Sequence, residues 1–231
     1  MNRPPELIAA LDVSTFTKAK YFVDLLYPKI KTFKVGLQLF TASGREAIKY
    51  IKDKGAGVFL DLKFFDIPNT VACAAREVVR MRAVDMFTVH AQGGLEMMRK
   101  TRQAVKEEAA ELGVKAPLII GVTVLTSEKN RGNIQPSVLK LAGLAKQAGL
   151  QGIVCSVKEA KSVRKQFGKG FIIVTPGIRL MQDKKADQKR TATAAEAKKS
   201  GSDYLVVGRP ILEAANPAGA AEAIIENLKR G

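Results

Sequence analysis

The stretch Val58-Phe-Leu-Asp-Leu-Lys-Phe-Phe-Asp-Ile-Pro-Asn-Thr70 decides how the chain is read. Val58, Phe59, Leu60 and Leu62 have the apolar, partly aromatic character of a buried strand. Asp61 and Lys63 nevertheless stand at i and i+2 inside it and so face the same side. Two opposite charges turned to one interior are either a salt bridge at an exposed strand end or part of a site. Asp66 follows three residues after Lys63, then Ile67-Pro68, where proline stiffens the exit. Asn69 and Thr70 offer caps for a following helix.

On both sides of this stretch the same unit repeats. Apolar runs occupy 7–13, 32–37, 86–90, 117–123, 152–156, 171–176 and 204–208. Helical patterns follow at 14–26 with Ser14 or Thr15 as the start, then at 43–54, 70–82, 94–112, 137–148, 157–167, 193–200 and 217–228. The strands are near-continuous apolar runs, as expected of a parallel sheet covered on both faces. Eight alternations in this length imply an α/β fold, a (β/α)8 TIM barrel, with residues 1–231 forming a single domain. An open doubly wound sheet is the competitor. The first strand, however, is not followed by a Gly-x-Gly-x-x-Gly turn, and eight units suit closure better.

Composition narrows the function classes. A chain of 231 residues with 46% hydrophobic residues fills a large core. Cys73 and Cys155 lie in apolar surroundings without a Cys-x-x-Cys or Cys/His cluster, so both read as buried free thiols, with no disulfide framework and no metal site indicated. The N-terminal segment lacks a signal-peptide run, and no stretch approaches a membrane-spanning length. A soluble, reducing, cytoplasmic setting is the expectation. The formal net charge of +16 fits a cationic solvated surface or a field that attracts small phosphorylated anions. Its cations are dispersed among glutamates rather than gathered in a block interleaved with aromatics, which argues against a nucleic-acid partner.

The strand ends carry the chemistry. Asp12, Lys34, Asp61 with Lys63, His90, Thr123, Ser156, Thr175 and Gly208-Arg209 all fall there, and in a barrel these ends share the face where active sites are built. Four charges on three consecutive strands, two of each sign, are an expensive filling for a barrel interior, so they indicate a site. If Asp61 and Lys63 point inward, Asp12 and Lys34 join them in an alternating acid–base array. Thr175-Pro-Gly-Ile-Arg179 and Val207-Gly-Arg-Pro210 lie after strands seven and eight, the customary phosphate position in this fold. Arg209 can add a bidentate contact there. The long polar connection over 177–192 reads as a lid over a phosphorylated substrate or as a plain surface loop. His90, the only histidine, reads as hydrogen-bonded structure, and Met97 and Met98 as packing.

Taken together, Ala10-Leu-Asp12, Phe33-Lys-Val-Gly36, Asp61-Leu-Lys-Phe-Phe-Asp-Ile-Pro-Asn-Thr70, Thr123-Val-Leu-Thr-Ser127, Thr175-Pro-Gly-Ile-Arg179, Gln188-Lys-Arg190 and Val207-Gly-Arg-Pro210 resemble the orotidine 5′-phosphate decarboxylase family over nearly the whole chain. Many members have histidine where Phe65 stands; that position is not one of the family's catalytic charges. The resemblance implies conversion of orotidine 5′-monophosphate to uridine 5′-monophosphate and CO2, the last step of de novo pyrimidine synthesis, with no metal and no organic cofactor. It implies that Lys63 donates the proton, that Asp61 lies beside the departing carboxylate, and that Lys34 holds the charge array and touches the ribose. Asp12 would bind ribose hydroxyls; Thr126 and Ser127 would contact the pyrimidine; Gln188, Gly208 and Arg209 would hold the phosphate, with Arg179 helping to close the loop. Asp66 and Thr70 would complete the neighbouring site of a homodimer. Related sugar-phosphate enzymes of this barrel family, such as hexulose-phosphate synthase, share the Asp-x-Lys-x-x-Asp core but use magnesium and lack the Ile-Pro-Asn-Thr continuation.

Overall fold

A computed structural model describes residues 4–125, 133–178 and 192–230. Eight parallel strands close into a barrel in sequence order: β1 (Glu6–Ala10), β2 (Thr32–Gly36), β3 (Gly57–Phe64), β4 (Met86–His90), β5 (Leu118–Val122), β6 (Gly152–Val154), β7 (Ile172–Pro176) and β8 (Tyr204–Val207). β1 pairs with both β2 and β8, so the sheet has no free edge. The helices around it are α1 (Phe16–Leu26), α2 (Leu37–Asp53), α3 (Pro68–Arg80), α4 (Gly94–Glu111), α5 (Gln135–Gln147), α6 (Val157–Phe167), α7 (Ala194–Lys199), α8 (Arg209–Leu212) and α9 (Pro217–Arg230).

The strands are buried on both faces because they separate two apolar layers. Phe33 and Val35 of β2, Val58 and Leu60 of β3, and Phe87 and Val89 of β4 belong to the layer between sheet and helices. The alternate positions turn into the barrel, where Ile8, Ala10, Phe59, Met86, Ile120, Val174 and Val206 form a second cluster. This pleat determines which polar residues face inward: Lys34 and Gly36 from β2, Asp61 from β3, Thr88 from β4.

Several local expectations need correction. β1 ends at Ala10, so Asp12 belongs to the loop after it rather than to the strand. α2 starts at Leu37, not near Ser43: the chain turns from β2 directly into a first helical stretch, and Gly44, at φ 53°, kinks it before the expected helix resumes. Asn69 and Thr70 do not cap α3; Pro68 occupies its first turn and Ile67 the cap position, without a side-chain bond. The expected start of α1 holds: Thr15 caps it by accepting from the Lys18 amide at 3.2 Å. The short helix α8 was not legible as a separate element. Cys155 is buried, but Cys73 is exposed. The core face of α3 is set by Val71, Ala75, Val78 and Val79, and Cys73 falls opposite them.

β3 itself is irregular. Leu60 pairs with Phe87 and Phe64 with Val89, so Asp61, Leu62 and Lys63 together oppose the single residue Thr88. This is a bulge, a device that re-aims side chains where pairing is interrupted.

Candidate active site

The barrel opens at the C-terminal ends of its strands into a cavity of about 660 Å³, whose lining includes Asp12, Lys34, Asp61, Lys63, Gly208 and Arg209. Of these five charges, Lys34, Asp61 and Lys63 come from β2 and β3, Asp12 from the loop after β1 and Arg209 from the start of α8. The Lys34 ammonium lies 3.0 Å from Asp12 Oδ1 and 3.7 Å from Asp61 Oδ2, and Lys63 Nζ lies 2.8 Å from Asp61 Oδ2. The expected alternating array Asp12–Lys34–Asp61–Lys63 is therefore present as a continuous chain of ion pairs. Its middle is buried: the Lys34 and Asp61 side chains are 10% and 13% exposed, against 34% for Lys63 and 54% for Asp12. Its two ends face the cavity, where a ligand would meet them.

Electrostatics keep the central acid ionised. Burial pushes the Asp61 carboxyl up, yet the charges of Lys34 and Lys63, with hydrogen bonds from Lys63 and Thr88, outweigh burial and hold it below the usual carboxylate value. Thr88, which the sequence reading passed over, donates from its hydroxyl to Asp61 Oδ1 at 2.9 Å. Removing one member of such a group would leave an uncompensated charge in a low-dielectric interior, a costly arrangement that signals chemistry rather than packing.

Backbone geometry at the site is equally specific. Lys63 has φ 52°, a left-handed conformation that costs a side-chain-bearing residue about 1–2 kcal/mol and clusters at functional positions. Gly36 shows why glycine follows Lys34-Val35: a Cβ there would stand 2.7 Å from Lys34 Nζ and 3.3 Å from Asp12 Oδ1. The absent side chain leaves room for the ammonium.

The far wall comes from the ends of β7 and β8. Gly177, at φ 79°, and Ile178 line the cavity, as do Gly208 and Arg209, the latter opening α8. Ile178 forms an isolated bridge with Ala192, so the two flanks of the stretch that carries Arg179 and Gln188 are paired at a cavity-lining residue. Arg179 and Gln188 lie outside the described residues, as do Thr126 and Ser127; Leu125, immediately before them, lines the cavity.

Other expected residues fall elsewhere. Asp66 and Thr70 are exposed and do not line this cavity; the Asp66 carboxylate accepts from the Ile67 amide at 2.6 Å. The strand-end hydroxyls serve the frame: Thr123 donates to the Val154 carbonyl at 2.7 Å, Ser156 bonds Glu159, and Thr175 bonds Ser202 at 2.7 Å. His90 is buried with its ring against Phe65, at a centroid distance of 5.2 Å. Met97 and Met98 are fully buried, as read. Among the described residues, no group of three or more His, Cys, Asp and Glu side chains could hold a metal ion, and no helix is long and apolar enough to cross a membrane.

Comparison with known proteins agrees with this geometry. The model of the Orotidine 5′-phosphate decarboxylase / HUMPS family matches residues 5–224. The orotidine 5′-phosphate decarboxylase of Moorella thermoacetica is 45% identical over 238 residues, spanning 99% of this chain and 94% of its own. That of Geotalea daltonii is 45% identical over 234 residues, spanning 98% and 97%. Among solved structures, the orotidine 5′-phosphate decarboxylase from Lactobacillus acidophilus superposes with a TM-score of 0.83 at 34% identity, over 98% of this chain and 99% of that one. The Methanocaldococcus jannaschii enzyme, complexed with the inhibitor BMP, gives 0.77 at 26% identity, over 98% of this chain and 99% of that one.

Proposed function

The chain belongs to the Orotidine 5′-phosphate decarboxylase / HUMPS family, and from that premise we propose that it converts orotidine 5′-monophosphate to uridine 5′-monophosphate and CO2 in pyrimidine biosynthesis. It is a carboxy-lyase, and the observation that carries the reading is the cavity-lining array Asp12–Lys34–Asp61–Lys63 with its buried middle.

Loss of CO2 from a ring carbon without an electron sink leaves a localised carbanion, so the site has to stabilise developing negative charge and then protonate it. Lys63, at the end of the array and half turned to the cavity, is the proton donor in this reading. Asp61, held ionised between two lysines, faces the substrate carboxylate. Two like charges about 4 Å apart repel by roughly 4 kcal/mol at an effective dielectric near 20, and departure of CO2 relieves that stress. Lys34 orders both acids and Asp12 meets ribose hydroxyls. Gly208 and Arg209 hold the phosphate together with Gln188, with Thr126 and Ser127 against the pyrimidine and Arg179 closing the loop. Phosphate binding at a distance from the reacting carbon supplies energy for that closure.

The protein works as a homodimer in this reading, each chain a single catalytic domain over residues 1–231. Asp66 and Thr70 serve the partner's site. Their exposure supports it, as do the exposed apolar side chains of Leu37, Phe65 and Ile67, two of which flank Asp66. A cytoplasmic location suits the pathway. The test is the loss of orotate absorbance when the protein meets orotidine 5′-monophosphate in the presence of a chelator. Turnover supports the reading. Absence of turnover, with chelator or with magnesium, overturns it and favours a sugar-phosphate activity of the same family.

A further inference from the structure

The bulge in β3 brings three residues of one strand opposite one residue of the next, and that residue is Thr88. A bulge of this kind takes backbone groups out of the ladder, and each then needs another partner. Thr88 supplies one: its hydroxyl oxygen accepts from the Lys63 amide at 2.9 Å, while its proton goes to Asp61 Oδ1 at 2.9 Å. A single buried hydroxyl therefore holds the backbone of Lys63 and the carboxylate of Asp61 at once, using donor and acceptor capacity together. Thr88 is fully buried and does not line the cavity, so it acts through the other two residues and not on a ligand.

We propose that Thr88 is the positioning residue of this site, and that its hydroxyl sets the left-handed turn at Lys63 and the orientation of Asp61 required for decarboxylation. The argument has three parts. First, Lys63 sits at φ 52°, a conformation that persists only where surroundings enforce it. Second, with Oδ1 of Asp61 bound to Thr88, Oδ2 is the oxygen left for both lysines, at 2.8 Å from Lys63 and 3.7 Å from Lys34. Third, the Thr88 backbone is anchored in β4, where its neighbours Phe87 and Val89 are wholly buried. The hydroxyl is thus a fixed point from which the bulge hangs. A valine there keeps the shape and removes both bonds; a serine keeps both bonds and loses a methyl.

This inference rests on the proposed decarboxylase reading, and the experiment separates the two. Wild type, Thr88→Val, Thr88→Ala and Thr88→Ser are compared for kcat and KM on orotidine 5′-monophosphate and for amide hydrogen exchange at residues 61–64. Thr88→Val and Thr88→Ala are expected to lower kcat about 100-fold while changing KM less than threefold, and to accelerate exchange at the Lys63 amide at least tenfold. Thr88→Ser is expected to recover kcat to within fivefold of wild type, with exchange restored. Loss in the serine variant equal to that in valine, or kcat within threefold of wild type for valine and alanine, overturns the proposal. If one hydroxyl-free variant fails to fold, the other carries the same limits. If wild type itself does not turn over the substrate, the decarboxylase reading fails, and unchanged Lys63 exchange in a folded hydroxyl-free variant then overturns the positioning role by itself.

Discussion

The Lys63 ammonium sits 2.8 Å from Asp61 Oδ2, two positions earlier on the same strand. In a regular strand these residues would share a face because of the pleat alone. Here they meet where β3 has left its ladder, with Lys63 in a left-handed turn. The pair is thus built by an irregularity, and its partners Lys34 and Asp12 extend it to β2 and the loop after β1.

Replacing Lys63 with alanine should remove the proton donor and leave the barrel standing. Lys63→Ala is expected to fold, to bind uridine 5′-monophosphate by calorimetry, and to lose decarboxylation by at least about 1,000-fold, within the range for a lost general acid. A rate within tenfold of wild type would contradict the assignment of Lys63.

Mixing two inactive homodimers tests whether Asp66 serves a neighbouring site. A hybrid of Asp61→Ala and Asp66→Ala chains has one site with both acids intact. After subunit exchange, about half of the dimers are hybrid, so activity should return to about a quarter of wild type in a closed two-fold dimer. With one of the two chains isotopically labelled, because the two variants have equal mass, exchange confirmed by mass spectrometry without recovered activity would show that the site is not shared.

Gly36→Ala separates stability from function. The backbone at Gly36 is extended, at φ −97°, so alanine is not strained there. The new Cβ would crowd the end of the Lys34 side chain, which can move. The melting temperature should stay within about 2 °C while kcat/KM falls tenfold or more, since a small misplacement of a catalytic group is costly. Unchanged kcat/KM would mean that the position of the Lys34 ammonium is unimportant.

The ionisation of Asp61 predicts an acid-dependent loss of stability. Its carboxyl is held below the ordinary value by Lys34 from β2, Lys63 on its own strand and the Thr88 hydroxyl from β4, against the opposing effect of burial. A depressed folded-state value means that the stabilisation is fully present above the ordinary carboxylate value and is lost as pH falls through the depressed one. Thermal melts of wild type and Asp61→Asn should therefore differ most at pH 7 and converge as pH drops toward 3. A gap that stays constant over that range would show that ionised Asp61 does not stabilise the fold.

Much of this was legible in the chain because periodicity and composition are local. Eight apolar runs alternating with amphipathic helices are set by side-chain burial along each element, so barrel closure followed from counting them. The charged strand ends were equally plain: Asp12, Lys34, Asp61 and Lys63 interrupt apolar runs where charge is costly. The details that failed were local geometry under tertiary control. Helix α2 begins at Leu37 because the barrel turns the chain there, and Cys73 faces outward because Val71 and Ala75 define the packed side of α3.

Thr88 and Gly36 mark the boundary between the two sources. The sequence by itself determined the barrel, the order of its strands and the four charges at one end, since each depends on residue type and spacing. It could not show that Thr88, 25 residues beyond Lys63, would bond its amide, nor that Gly36 leaves space for an ammonium. Those facts depend on strand register and on a bulge that sets three residues of β3 against one of β4. Register and bulges arise from contacts between distant segments, so only the tertiary structure decided how the charges were aimed.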